Sequence, residues 1–148
     1  MFLVDTNVLL YAADEDSEFH ARCRRLVRDW RQQPTPWFLT WSICYEFLRV
    51  STHSRVFRRP WSAAAAQGFI DALLAAPGLT MLAATERHAA VLRHTLNESA
   101  DLRGNQMHHL HTAVLMREHG ISRIVTRDTD FHRFSFLKVV DPLREERS

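Results

Sequence analysis

Short apolar stretches alternate with longer amphipathic stretches along the whole chain. Each short stretch spans only a few residues and is bounded by polar or turn-forming residues, which is typical of a buried strand. In the longer stretches apolar residues recur every three or four positions, the spacing of a helix that buries one face. The alternation predicts an α/β fold in which helices cover both faces of a mostly parallel central sheet.

The predicted elements follow one another without an internal repeat, a linker or a low-complexity segment, so we expect a single domain over residues 1–148. The clearest helix covers residues 17–33, where Phe19, Cys23 and Trp30 share an apolar face. Other helices are predicted directly after Asp5 and at residues 40–50, 62–76, 86–98 and 105–119. Strands are predicted at residues 2–4, 37–39, 79–82, 123–126 and 137–140.

The composition fits this fold and adds an expected compartment. The chain has 148 residues, of which 46% are hydrophobic and 24% charged, enough to bury a substantial core. No apolar run approaches the roughly 20 residues of a membrane-spanning helix, and the segment around Asp5 lacks the pattern of a signal peptide. Cys23 and Cys44 fall in apolar helical patterns, which predicts reduced core thiols. We therefore expect a cytoplasmic protein.

The formal net charge of +2 does not by itself indicate a nucleic-acid partner. Basic side chains are nevertheless concentrated in two segments. The first contains Arg22, Arg24, Arg25, Arg28 and Arg31, and the second contains Arg49, His53, Arg55, Arg58 and Arg59. Such segments are either solvated faces or surfaces for a phosphate-bearing partner, and the sequence leaves both interpretations open.

Acidic residues follow two of the predicted strands. Asp5 comes directly after the strand at 2–4, and Asp128 and Asp130 come just after the strand at 123–126. Ligands of open α/β sheets bind beyond the carboxyl ends of the strands, so these acids are candidates for one site. The alternative is that each aspartate only caps the turn that follows it.

Glu46 is a further candidate for the same site. Ile43 and Val50 mark the buried face of the helix around it, which puts Glu46 at the edge of that face. A carboxylate there needs a cationic partner, and an ion pair with Arg49 or Arg55 is the alternative to a role in the site.

Several carboxylates around one cavity repel one another unless a cation neutralises them. A hard divalent ion would do so, and it would also favour phosphodiester hydrolysis by polarising water and stabilising charge on a phosphate. A phosphohydrolase of small phosphate esters is less favoured, because the segment DTN after the first strand lacks the second acid of the D-x-D pattern.

Four segments, in order, resemble PIN-domain proteins of the VapC toxin type: FLVDTNVLLY, EFLRVSTHSRVF, RGNQMHHLHTAVLMREHG and IVTRDTDF. The resemblance covers nearly the whole chain and implies a PIN-like three-layer sandwich. It also implies a Mg²⁺- or Mn²⁺-dependent endoribonuclease that is the toxin of a toxin–antitoxin pair, with an antitoxin partner and a homodimeric state. By position, Asp5 and Asp128 match metal-binding acids of the family. Glu46 matches its helix acid, expected to orient or deprotonate water, and Asp130 matches an accessory acid.

One position departs from the family pattern, because His109 stands where the family usually has an acid. Three interpretations are open. His109 ligates the metal as a neutral imidazole, which would shift the preference from Mg²⁺ toward Mn²⁺ or Zn²⁺. Alternatively, the remaining acids bind the metal weakly, or the chain is a catalytically impaired module that binds RNA or an antitoxin without cleaving. His108 and His111 lack the spacing of a helical zinc site, so we expect structural roles for them.

Binding of RNA would need cations near these acids. The candidates for phosphate contacts follow the helix of Glu46 or precede the other acids, and they are Arg55, Arg58, Arg59, Arg103 and Arg127. The alternative for each is a solvated surface arginine or an antitoxin contact. Phosphate contacts would make the affinity for RNA fall steeply with salt.

Overall fold

Five β-strands and six α-helices alternate along residues 1–144, the part of the chain that the computed structural model describes. In chain order they are β1 (Phe2–Val4), α1 (Thr6–Ala13), α2 (His20–Gln32), β2 (Trp37–Thr40), α3 (Trp41–Ser51), α4 (Ala63–Leu74), β3 (Leu79–Leu82), α5 (His88–Glu98), α6 (Gln106–Glu118), β4 (Arg123–Val125) and β5 (Lys138–Val140). A short 3-10 helix, Thr129–Arg133, lies between β4 and β5. No helix in this range is long and apolar enough to cross a membrane.

The strands form one sheet in the order β3-β2-β1-β4-β5, and every pair of neighbours is parallel. The chain moves outward from β1 to β2 and β3, and then crosses back to β4 on the other side of β1. Because parallel crossovers are right-handed, the helices of the outward path and those of the return path cover opposite faces of the sheet. The predicted α/β sandwich is confirmed, and the sheet formed by the described strands is parallel throughout.

The predicted helices and strands are present, with boundaries that differ by a few residues. The largest difference is at the start of α2, which begins at His20 rather than Ser17. The Ser17 hydroxyl accepts a hydrogen bond from the Phe19 backbone N–H, and the Ser17 carbonyl accepts one from that of His20. These bonds close a turn ahead of the helix. Thr40 and Ser62 stand directly before α3 and α4, and each caps its helix with its side-chain oxygen.

The central strands carry the core of the domain. Leu3 of β1, Leu39 of β2 and Ile124 of β4 are each 0% exposed, as expected for a parallel sheet covered by helices. Cys23 and Cys44 are free and buried, and burial raises the pKa of each thiol to about 11. The prediction of reduced core thiols is confirmed.

A buried carboxylate ties the end of α6 to the loop that precedes α5. The Glu118 side chain is 0% exposed, and its Oε2 accepts hydrogen bonds from the Thr85 backbone N–H at 3.0 Å and the Thr85 hydroxyl at 2.7 Å. Its Oε1 pairs with His88 Nδ1. Burial alone would raise the pKa of Glu118, but the bonds from His88 and Thr85 outweigh burial and hold the pKa below its ordinary value. Glu118 is therefore a structural carboxylate whose charge is satisfied inside the protein.

Replacing Glu118 with Gln removes the charge and keeps the size of the side chain. We expect Glu118→Gln to lower the free energy of unfolding by about 3 kcal/mol, because an acceptor becomes an amide donor that faces other buried donors. Urea denaturation followed by circular dichroism measures the change. The matched control is Glu98→Gln, which removes an exposed carboxylate paired with Arg117 and should change stability little.

The same comparison has an expected pH dependence. Because the pKa of Glu118 is lower in the folded protein than its ordinary value of 4.5, its stabilising contribution is complete above that value. The contribution is lost as the pH falls through the folded-state pKa. The stability difference between the wild type and Glu118→Gln should therefore shrink in acid, and a difference that stays constant from neutral to acidic pH would contradict the assignment.

Candidate active site

A cleft of about 880 Å³ opens at the carboxyl ends of β1 and β4. The chain reverses its direction across the sheet at this point, so the loops after the two strands separate and leave a crevice between them. Four of the predicted site residues line this cleft, namely Asp5, Glu46, His109 and Asp128. They come from the end of β1, from α3, from the first turns of α6 and from the loop after β4.

The carboxylate of Asp5 is fixed at the start of α1. Its Oδ1 accepts a hydrogen bond from the Thr6 backbone N–H at 2.8 Å, and its Oδ2 accepts one from the Thr126 hydroxyl at 2.7 Å. Burial raises the pKa of Asp5, in spite of these two bonds and the neighbouring His109, and the nearby Asp128 raises it further. A cation in the cleft would therefore favour the ionised form of Asp5.

The hydroxyl of Thr126 connects the two strands at the floor of the cleft. Thr126 is 0% exposed, and besides donating to Asp5 it accepts hydrogen bonds from Asn7 Nδ2 and from the Asp128 backbone N–H, both at 3.0 Å. One donor and two lone pairs are all that a hydroxyl offers, so its capacity is used in full. Thr126 and Asn7 were not predicted as site residues. The available signal was that Asp5 directly follows one predicted strand and that Thr126 is the last residue of another.

His109, Asp128 and Asp130 form a cluster beside Asp5. His109 Nε2 lies 2.8 Å from Asp128 Oδ2, and His109 Nδ1 lies 4.0 Å from Asp130 Oδ2. Asp128 Oδ1 also accepts a hydrogen bond from the Asp130 backbone N–H at 2.9 Å, which caps the 3-10 helix. Each of the three residues offers one ligand atom, and these atoms lie within 4.8 Å of one another. Asp128 therefore caps a turn and also faces the site.

The chemistry of these groups fits a divalent metal ion. Carboxylates and imidazoles are common ligands of Mg²⁺, Mn²⁺ and Zn²⁺. His109 Nδ1 is buried without a hydrogen-bond partner, although buried polar atoms are normally paired. The carboxylate of Asp5 is partly buried and has a raised pKa at the same cleft. A cation bound among these groups would give His109 Nδ1 a partner and would stabilise the ionised form of Asp5.

Glu46 lines the cleft and is also paired with Arg49. Its Oε1 lies 2.6 Å from Arg49 Nη2, and its Oε2 accepts a hydrogen bond from Arg49 Nε at 3.0 Å. The hydrogen bond from Arg49 lowers the pKa of Glu46 against the opposing effect of burial. The ion pair that the sequence offered as an alternative is thus present, and it leaves Glu46 ionised at the edge of the cleft.

The arginines predicted to contact phosphate do not line the cleft. Arg59 binds Asp16, and Arg127 packs its guanidinium over the Phe19 ring at 4.6 Å. Arg55, Arg58 and Arg103 are exposed on loops, the first two after α3 and the third before α6. Phosphate binding by these residues stays a prediction. Arg49 lines the cleft instead; the sequence placed it in the second basic segment and offered it as a partner for Glu46, but not as one of the candidates for phosphate contacts.

The other two histidines of α6 differ in environment. His111 Nδ1 lies 3.1 Å from the Ser42 hydroxyl, and its ring packs edge-on against His88 with 6.0 Å between centroids. Burial lowers the pKa of His111, and His88 and His108 lower it further. These contacts link α6 to α3 and fit the structural role expected of His111. His108 instead lines the cleft and is exposed.

Comparisons with known proteins identify the family and the fold of this chain. The family model of the PIN domain matches residues 2–137. The ribonuclease VapC43 of Mycobacterium tuberculosis is 36% identical over 143 residues, which are 97% of this chain and 96% of that protein. VapBC2 from Rickettsia felis, solved with a DNA fragment from its promoter, has a TM-score of 0.63 at 15% identity, with 94% of this chain and 96% of that one covered. VapC20 of M. tuberculosis, a sarcin–ricin loop cleaving toxin, has a TM-score of 0.62 at 17% identity, with 89% and 93% covered.

The hydrogen bonds of Thr126 can be removed without changing the shape of the side chain. We expect Thr126→Val to lower the free energy of unfolding by about 2 kcal/mol, because it leaves the Asn7 amide and the Asp128 backbone N–H without their buried acceptor. Chemical denaturation of the purified variant measures the loss. Thr126→Ser keeps the hydroxyl and should retain most of the stability. Equal losses in the two variants would mean that packing, and not hydrogen bonding, explains the effect.

Proposed function

We propose that this chain, which belongs to the PIN-domain family and to its VapC branch, is a metal-dependent endoribonuclease and the toxin of a toxin–antitoxin pair. The observation that carries the proposal is the single cleft lined by Asp5, Glu46 and Asp128, which are far apart in the sequence. The ribonuclease relative at 36% identity favours an enzyme that cuts RNA over a module that only binds it.

We infer that Asp5, His109, Asp128 and Asp130 hold a Mg²⁺ or Mn²⁺ ion. When bound, such an ion polarises water and neutralises the charge that develops on a phosphate during in-line displacement. Each oxygen of Asp5 accepts one hydrogen bond from the protein and keeps further lone pairs for a ligand. Thr126 therefore orients the Asp5 carboxylate and leaves it lone pairs with which to bind an ion.

Glu46 is proposed to act on the attacking water. Its lowered pKa keeps it ionised, so it accepts a hydrogen bond from water and orients it. A carboxylate held by Arg49 is a weak base, but a phosphate of the RNA competes for the same guanidinium, which binds phosphate and carboxylate alike in a bidentate manner. Transfer of Arg49 from Glu46 to the phosphate would free the carboxylate as a base beside the bond to be cut.

The substrate and partners follow from the family. We propose that RNA is cut where its nucleotides are single-stranded, because the bases and backbone of exposed loops can enter a cleft that a helix cannot. The sarcin–ricin loop cleaved by VapC20 is a substrate of this kind. A protein antitoxin and a second copy of the chain are the proposed partners. The exposed Arg55, Arg58 and Arg103 are available to RNA or to the antitoxin.

Asp5 provides the most direct test of the proposed chemistry. We expect Asp5→Asn to reduce cleavage of a fluorogenic RNA hairpin in Mg²⁺ or Mn²⁺ by about 100-fold or more, because an amide neither neutralises a metal ion nor carries charge. Chelation of the metal by EDTA should abolish cleavage by the wild type.

The matched control for this experiment is Asp71→Asn, which changes an exposed aspartate of α4 that does not line the cleft. It should cleave at the rate of the wild type. Undiminished cleavage by a folded Asp5→Asn protein would remove Asp5 from the active site, and cleavage that survives EDTA would remove the metal.

Arg49 is expected to bind a phosphate of the substrate. In EDTA, where no cleavage is expected, Arg49→Gln should weaken binding of the RNA hairpin and reduce the slope of log affinity against log salt by about 1, because one fewer phosphate is neutralised. Fluorescence anisotropy over a range of KCl concentrations measures this slope.

Arg24→Gln is the control, because Arg24 lines a separate groove between α2 and α4. Its slope should equal that of the wild type. If Arg55→Gln lowers the slope and Arg49→Gln does not, the phosphate contacts lie on the loop after α3 and not in the cleft.

A further inference from the structure

We propose that the imidazole of His109, one of the four proposed metal ligands, makes the site prefer Mn²⁺ and related transition ions over Mg²⁺. The inference rests on the proposed metal-dependent function and narrows it to a class of ion. It concerns the position at which this chain carries an imidazole where an acid is expected from the family pattern.

The imidazole of His109 is held in place from more than one side. Its Nε2 lies 2.8 Å from Asp128 Oδ2, and its ring packs against Phe131 with 4.6 Å between centroids. Only 22% of the side chain is exposed. The ring is therefore oriented before any ion arrives, which is what a ligand needs in order to bind without a large loss of side-chain entropy.

A purely structural role leaves part of this residue unexplained. If His109 served only as the partner of Asp128, its buried Nδ1 would stay without a hydrogen bond, at 4.0 Å from Asp130 Oδ2. Metal-bound histidines commonly use one ring nitrogen for the ion and the other for a carboxylate. In His109 the Asp128 carboxylate already lies at Nε2, which leaves the unpaired Nδ1, on the side of Asp130, for an ion.

The kind of ion follows from the ligand chemistry. Mg²⁺ strongly prefers oxygen ligands and keeps several waters, so it gains little from an imidazole. Affinity for nitrogen ligands rises from Mn²⁺ through the later transition ions. An imidazole in place of a carboxylate also removes one negative charge from the site, which weakens the electrostatic attraction on which Mg²⁺ depends. Both effects favour Mn²⁺ over Mg²⁺.

Metal binding can be measured without RNA. Isothermal titration of the purified protein with MnCl₂ and with MgCl₂ gives the ratio of the two dissociation constants. We expect His109→Asp to reduce the preference for Mn²⁺ over Mg²⁺ by about tenfold or more. Pulsed electron paramagnetic resonance of the Mn²⁺ complex should detect an imidazole nitrogen in the wild type and lose it in His109→Asp. The control, His108→Gln, changes an exposed histidine of the same cleft and should keep the nitrogen signal.

The outcomes separate this inference from the proposed function. A wild-type Mn²⁺ complex without a nitrogen signal would overturn the inference. So would a signal that is lost in His108→Gln but kept in His109→Asp. A ratio of dissociation constants in His109→Asp equal to that of the wild type would also overturn it. The wild-type and His108→Gln spectra do not depend on the folding of His109→Asp. If the nitrogen signal and the ratio behave as expected but no protein cuts RNA with any ion, His109 remains a ligand and the proposed nuclease function fails.

Discussion

Parallel pairing of β1 with β4 is the constraint on which the rest of the site depends. Val4 and Val125 are register partners, so the residues that follow them, Asp5 and Thr126, emerge side by side at the same edge of the sheet. This pairing brings Asp5 close to Asp128, and the two negative charges raise the electrostatic cost of the fold. The Thr126 hydroxyl, which bonds to Asp5 and to the Asp128 backbone, is the local means by which the structure tolerates that proximity.

The buried Glu118 and the partly buried Asp5 differ in how the protein surrounds their charge. Glu118 accepts hydrogen bonds from Thr85 and pairs with His88, and its pKa is lowered. Asp5 is also bonded to protein donors, yet burial dominates and its pKa is raised. A carboxylate that the protein satisfies completely contributes to stability, whereas one left short of positive charge is ready to receive a cation. The contrast supports the proposed role of Asp5 as a metal ligand and the structural role of Glu118.

The local pattern of apolar and polar residues was sufficient to predict the helices, the strands and the acidic residues at the strand ends. The strand before Asp5 and the helix around Glu46 depend on neighbouring residues, and both were predicted. Contacts across the fold were harder to foresee. Arg59 reaches Asp16, which is 43 positions away in the sequence. The direction of the Arg59 side chain depends on how the loop after α3 packs on the domain. The residues next to Arg59 in the sequence do not determine that packing.

The exchange of an acid for His109 alters both the ion-free and the ion-bound states of the cleft. A fourth carboxylate among Asp5, Asp128 and Asp130 would add repulsion that only a strongly bound cation offsets. His109 instead contacts Asp128 directly, so the ion-free protein carries less electrostatic strain. Any ion that enters must either keep this contact or compensate for its loss, which disfavours an ion that binds by charge alone. If His109 is a metal ligand as proposed, the imidazole that stabilises the ion-free cleft would also favour ions that bind nitrogen well.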